Sequence, residues 1–179
     1  MAGTNGKQKT VRDMILSLAL IGLMAGVIYL FIPHDDSKPD VKRVSYDVEL
    51  LTARRAASYP VAAPDGLPAS WKATSVRFDG TSFDHWHLGF QDPKGQYVAI
   101  EQSTQKASLF IDEASQGSEA TETTQEIDGR TWQHYTGGRY DALVLKDKDA
   151  KDGKRATTVV TGTASFTRLA EMVKSLKMA

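Results

Sequence analysis

Residues 14–32 read MILSLALIGLMAGVIYLFI, an unbroken apolar run without a charged residue. As a helix rising 1.5 Å per residue it spans roughly 28 Å, close to the roughly 30 Å hydrocarbon core of a bilayer. Its leucines, isoleucines, valine and phenylalanine together favour insertion by roughly 3–6 kcal/mol. A segment of this kind is segregated from any domain that follows it in water. The chain is therefore expected to fold as an anchor and a separate body.

A cleavable signal peptide would have a shorter apolar region, about 7–15 residues, closed by small residues at a cleavage site. Here the run closes on Tyr29, Leu30, Phe31 and Ile32, all large, with Pro33 ending the helix. An uncleaved anchor is the expectation. A lipid-modified N-terminus is excluded because the chain has no cysteine.

Lys7, Lys9 and Arg12 precede the run, offset by Asp13, whereas Asp35, Asp36 and Asp40 follow it, with Lys38 among them. Positive charge stays on the cytoplasmic side. The expected topology is a cytoplasmic tail over residues 1–13, a membrane span over 14–32, a polar linker over 33–43 and an extracytoplasmic domain over 44–179. Within the span, Gly22 and Gly26 form a G-x-x-x-G, a spacing that lets a second helix approach closely.

Lys plus Arg equals Asp plus Glu at 22 each; residues 1–13 carry a net charge of +2 and the remainder −2. That balance argues against nucleic acid as a partner. It also leaves no polybasic patch outside the membrane for anionic lipid. Without cysteine, disulfides, thiolate chemistry and Cys-based zinc sites are excluded. About 145 residues remain beyond the span, enough for one domain with its own core.

Along that body, residues 44–48 are compatible with a strand or a helix start. Residues 49–58 (ELLTARRAAS) predict a helix stopped at Tyr59-Pro60. Residues 64–68 (PDGLP) form a turn cluster, and residues 71–78 (WKATSVRF) alternate in part and predict a strand. The clearest unit is a hairpin: residues 86–91 (WHLGFQ), a turn at Asp92-Pro-Lys-Gly95, and residues 97–102 (YVAIEQ). Residues 107–114 predict a helix and 116–124 a polar loop. A second hairpin is expected from 123–127 and 131–135 around Asp128-Gly129, and Gly137-Gly138 leads into a strand over 140–145.

Residues 147–154 (DKDAKDGK) read as a solvated charge run, and 155–162 (RATTVVTG) as a strand. Ser165 is placed to cap a last helix whose Phe166, Leu169, Val173 and Leu176 form one apolar stripe. Hairpins with helices at intervals predict an α+β fold with a mainly antiparallel sheet packed by two or three helices.

Chemical signals are sparse. His85 and His87 share one face of a strand and could hold a metal with a third ligand, for which Glu101 and His134 are the candidates. The alternative is two solvent-facing histidines on a half-buried strand. Ser103, Ser108, Ser115 and Ser165 stand in no recognisable spacing to the histidines, and no G-x-S-x-G, P-loop or G-x-G-x-x-G occurs. Asp112 and Glu113 read as a solvated helix surface. Trp71, Trp86 and Trp132 with Tyr97, Tyr135 and Tyr140 either line a groove or pack the core.

The layout resembles a family of actinobacterial single-pass membrane proteins catalogued as a domain of unknown function. The resemblance rests on the basic tail and helix through Ile32, on Tyr59-Pro-Val61, Leu67-Pro-x-x-Trp71 and Trp86-x-Leu-Gly-Phe90, and on residues 159–176. It implies no catalytic residue. The shape it implies is similar to the small α/β/α sandwiches of the Mog1/PsbP type, an analogy that carries no function. The expected function is a membrane-anchored binding or interaction module of the cell envelope, without a cofactor and not an enzyme. Its expected partners are the bilayer through residues 14–32 and another membrane or envelope protein. The alternative is an envelope hydrolase or metal-dependent enzyme using His85 and His87.

Overall fold

The computed structural model describes residues 5–31, 41–146 and 156–179, which separate into two units divided after Asp40. The first contains α1 (Asn5–Phe31). Over Val11–Phe31 its mean hydropathy is 2.4 and no residue is buried, so the helix is long and apolar enough to cross a membrane. It begins well before the apolar run, because residues 5–13 contain no proline to stop a helix at the edge of the span. Pro33, the acidic residues after it and the charge run at 147–154 lie outside the described residues.

The second unit, Val41–Ala179, is built on a seven-stranded sheet in which every neighbouring pair is antiparallel. In chain order its elements are α2 (Asp47–Ala56), β1 (Ala62–Pro64), β2 (Lys72–Asp79), β3 (His85–Gln91), β4 (Tyr97–Ser103), α3 (Ala107–Ser115), β5 (Glu119–Ile127), β6 (Arg130–Thr136), β7 (Asp141–Lys146), β8 (Thr157–Gly162), α4 (Phe166–Ser175) and β9 (Leu176–Met178). The sheet order is β2-β3-β4-β8-β7-β6-β5, with β1 and β9 paired in a separate two-stranded ribbon. Two meanders thus meet at β4 and β8. The chain leaves β4 through α3, starts again at the far edge with β5, and walks back. With three strands between them, β4 and β5 run parallel, which requires a crossover and is why a helix stands there.

The sheet has two unlike faces. On one, Trp86, Leu88, Phe90, Val98, Ile100, Leu143 and Val160 are buried beneath Leu169, Met172 and Val173 of α4 and Ala53 of α2. Gln102 is buried there too. Its amide accepts from Ala62 N at 2.6 Å and donates to Thr158 Oγ1 at 3.0 Å, while Trp86 Nε1 donates to Ala62 O at 2.9 Å. These bonds tie the β1/β9 ribbon to the sheet. On the other face, Phe110 and Ile111 of α3 pack on Tyr135, Ala142, Val144 and Val159. Because α3 packs chiefly on β8 and β7, it meets the polar side of β3 only at its edge, where Phe110 touches His85.

The α+β expectation holds, with three helices on the body. Four local differences have physical reasons. The edge strand expected over 123–127 starts earlier, at Glu119, inside the loop expected over 116–124; an edge needs no apolar face, and Glu119, Glu122 and Glu126 with a register shift after Ala120 suit one. The ribbon partner β1 falls at 62–64 and takes in Pro64, the first residue of the expected turn cluster; its pairing is entirely long-range. Leu176 opens β9 rather than closing α4, so the apolar stripe ends at Val173 in the helix. Ser165 sits at the N-cap but its hydroxyl makes no capping bond; its carbonyl accepts from Arg168 N at 2.8 Å and Leu169 N at 3.0 Å.

Candidate functional site

The polar face of β2, β3 and β4 gathers side chains from three strands. Register places Ser75 of β2 opposite Gly89 of β3, Arg77 opposite His87, and His87 opposite Glu101 of β4. His85 Nε2 lies 2.8 Å from Glu101 Oε2, His87 Nδ1 lies 2.7 Å from Glu101 Oε1, and Ser75 Oγ lies 2.8 Å from His87 Nε2. The Glu101 side chain is 11% exposed, against 23% for His87 and 41% for His85.

Burial pushes the Glu101 carboxyl up, but the hydrogen bonds from His85 and His87 and their attraction for its charge outweigh that, leaving it below its ordinary value. The carboxylate is therefore an acceptor only, and both imidazoles donate to it. In the neutral tautomer that donates Nδ1–H to Glu101, His87 presents Nε2 to accept from the Ser75 hydroxyl.

The local sequence explains how Ser75 comes to this face. The β2–β3 ladder shifts register between Ala73 and Ser75, so Thr74 is an extra residue. One extra residue reverses the side-chain alternation. Ala73 faces the core before the bulge, Val76 and Phe78 face it after, and Ser75 turns to the polar side. Gly89 does the rest. A Cβ on Gly89 would stand 2.4 Å from Ser75 Oγ, 3.3 Å from Tyr97 Cε2 and 3.4 Å from His87 Nε2. Glycine weakens a strand, and here its missing side chain is the space through which Ser75 reaches His87.

Beside this cluster, between β4 and α3, lies a cavity of about 290 Å³ lined by His85, Tyr97, Glu101, Phe110, Glu113 and Tyr140, among others. His85 meets Phe110 edge-on at 5.5 Å between ring centres, and Tyr97 lies 5.8 Å from Tyr140 in a tilted pair. Burial, and then the negative charge of Glu101, push the Tyr97 phenol up, so it stays protonated as a hydrogen-bond donor.

The candidate residues sort clearly. His85, His87 and Glu101 come together. His134 does not: it lies on the opposite face of the sheet, stacked on Phe166 of α4 at 4.3 Å between ring centres. Its desolvation, opposed by Asp141, holds its pKa below the ordinary value. The N···O separations around Glu101 are those of hydrogen bonds, whereas N and O donors sharing one zinc ion stand about 3.3 Å apart. Among the described residues no group of three His, Asp or Glu is placed to hold a metal ion.

Trp71, Trp86, Trp132 and Tyr135 are buried, whereas Tyr97 and Tyr140 line the cavity. Ser103 Oγ donates to Phe83 O and Ser115 Oγ to Ile111 O, local bonds with no histidine involved. Ser75 is the residue that sequence reasoning missed. The signal was present in the switch of apolar parity between Ala73 and Val76, but its meaning depends on the partner strand.

No curated protein and no solved structure matches the chain. Residues 7–176 match the model of a family described as a protein of unknown function (DUF4245), a match that takes in the apolar helix, the bulged strand and the whole polar face, and the chain accordingly belongs to that family.

Proposed function

We propose that this chain is a membrane-tethered binding module working outside the cytoplasm, and that its ligand occupies the cavity between β4 and α3. The anchor reading is supported by the apolar helix Val11–Phe31. The topology is supported by the basic residues before the helix and the acidic ones after it. The binding reading rests on one observation: a cavity of about 290 Å³ built against a buried carboxylate and walled by the rings of Tyr97, Phe110 and Tyr140.

A lining of aromatic rings with the carboxylates of Glu101 and Glu113 favours a small molecule bearing an amine on an apolar body. The volume suits a ligand of amino-acid size. Another membrane or envelope protein is the natural further partner for a module held at the bilayer.

Two measurements test this reading. Titrating ¹⁵N-labelled Val41–Ala179 with phenethylamine is expected to shift the amides of Tyr97, Phe110 and Tyr140, with Glu113→Gln weakening the response several-fold; unmoved spectra up to tens of millimolar refute the cavity as an amine site. The chain's lack of cysteine makes topology direct to read. Lys174→Cys is expected to react with an impermeant maleimide in intact cells, and Thr4→Cys only after permeabilisation. The reverse pattern overturns the orientation.

A further inference from the structure

We infer that Ser75 is a nucleophile and that the chain Ser75–His87–Glu101 makes the polar sheet face an acyl-transfer site for small carboxylic esters. The inference goes beyond binding in the neighbouring cavity and stands separately from it, since a ligand can occupy that cavity with Ser75 inert.

The geometry carries it. A nucleophilic serine needs a base within hydrogen-bond reach on one nitrogen of an imidazole and an acceptor on the other. Here Ser75 Oγ is 2.8 Å from His87 Nε2, and Glu101 Oε1 is 2.7 Å from His87 Nδ1. His85 holds the second carboxylate oxygen at 2.8 Å, so the carboxylate is fixed from both sides.

Three strands contribute one residue each, and two irregularities serve the same end. The bulge before Ser75 turns it from the core to the polar face, and Gly89 opposite clears the space in which its hydroxyl meets the imidazole. Bulges recur beside active sites because they re-aim a single side chain. His87 is 23% exposed, so the pair is approachable from solvent. Tyr97, whose ring flanks Gly89 and also lines the cavity, offers an apolar wall for the acyl or alcohol part. Arg77 stands opposite His87 in the ladder on the same face, with its guanidinium held 3.0 Å from Asp79.

The reaction balances without a further reagent. Ser75 Oγ attacks the carbonyl carbon of the ester and its proton passes to His87 Nε2. The carbon–oxygen bond to the alcohol breaks, and the alcohol leaves with that proton. Water then attacks the acyl-serine, again giving a proton to His87, and the carboxylic acid departs as the proton returns to Ser75 Oγ.

The test uses the full chain in detergent micelles. Incubation with an alkyl fluorophosphonate is expected to add the phosphonyl group to Ser75, located by peptide mass spectrometry, at a rate at least tenfold lower in His87→Gln. Because removing Ser75 or His87 also removes a packed hydrogen bond, a second variant guards the result. Ser75→Cys places the only thiol of the chain at this position. It is expected to be alkylated by iodoacetamide at least tenfold faster than the same thiol in the Ser75→Cys/His87→Gln double variant. No adduct on Ser75 while a known serine esterase is labelled in the same tube, or equal alkylation rates in the two thiol variants, overturns the inference.

Discussion

Glu101 shows how one side chain is held by opposed effects. Burial alone would raise its titration, yet two imidazoles outweigh that and hold it below the ordinary value near 4.5. A carboxyl depressed in the folded state adds stability above its unfolded pKa and loses it as pH falls through the folded one. Glu101→Gln is therefore expected to cost about 1–3 kcal/mol near neutral pH. The gap to wild type should narrow under acid conditions, as urea melts at the two pH values would read; a gap that widens in acid refutes the arrangement.

Two glycines make the complementary point. A Cβ on Gly162 would stand 2.0 Å from Tyr97 O and 2.8 Å from Tyr97 C, backbone atoms of the paired strand β4 that cannot step aside. On Gly89 it meets the hydroxyl of Ser75, which can rotate. Gly162→Ala is expected to destabilise by about 2 kcal/mol or more and Gly89→Ala by under about 1 kcal/mol. Thermal melts of the two variants decide it, and a reversed order refutes the closer constraint at Gly162.

Among the elements, α4 and α3 are held in different ways. Leu169 of α4 is fully buried against the sheet, and Leu169→Ala should cost about 2–5 kcal/mol. Leu109 of α3 is 54% exposed, and Leu109→Ala should stay within about 0.5 kcal/mol of wild type. Equal losses in chemical denaturation would mean that α3 is buried by something further. In α1, nothing lies within 4 Å of a Cβ on Gly22 or Gly26, so the G-x-x-x-G strip is open. If that strip pairs helices, Gly22→Ile is expected to abolish the signal of an insertion-linked dimerisation reporter, and an unchanged signal ends the idea.

At the scale of the whole molecule, α1 buries none of its apolar span, whereas Val41–Ala179 has its own core. Val41–Ala179 alone is expected to unfold in one cooperative transition at the same urea midpoint as the full chain in detergent. A lowered midpoint would show that the body depends on α1. The strands were largely legible in sequence because a period-2 pattern is written locally, as in Trp86, Leu88 and Phe90. The first half of the edge strand β5 was not, because its polar residues do not need a buried face to belong to a sheet. The partners of Glu101 were legible only as types of residue, since alternation names the face of a side chain and not its neighbour.

By itself the sequence determined the apolar helix, the absence of thiol chemistry and an α+β body made of hairpins. These follow from hydropathy, composition and turn chemistry, each of which acts over a few residues. Only the tertiary structure decided that β4 joins β8, that His134 stands on the face away from His85 and His87, and that Ser75, His87 and Glu101 form one hydrogen-bonded chain. The physical reason is register. A single extra residue at Thr74 changes the face of everything before it relative to everything after, and which face that is depends on the strand alongside.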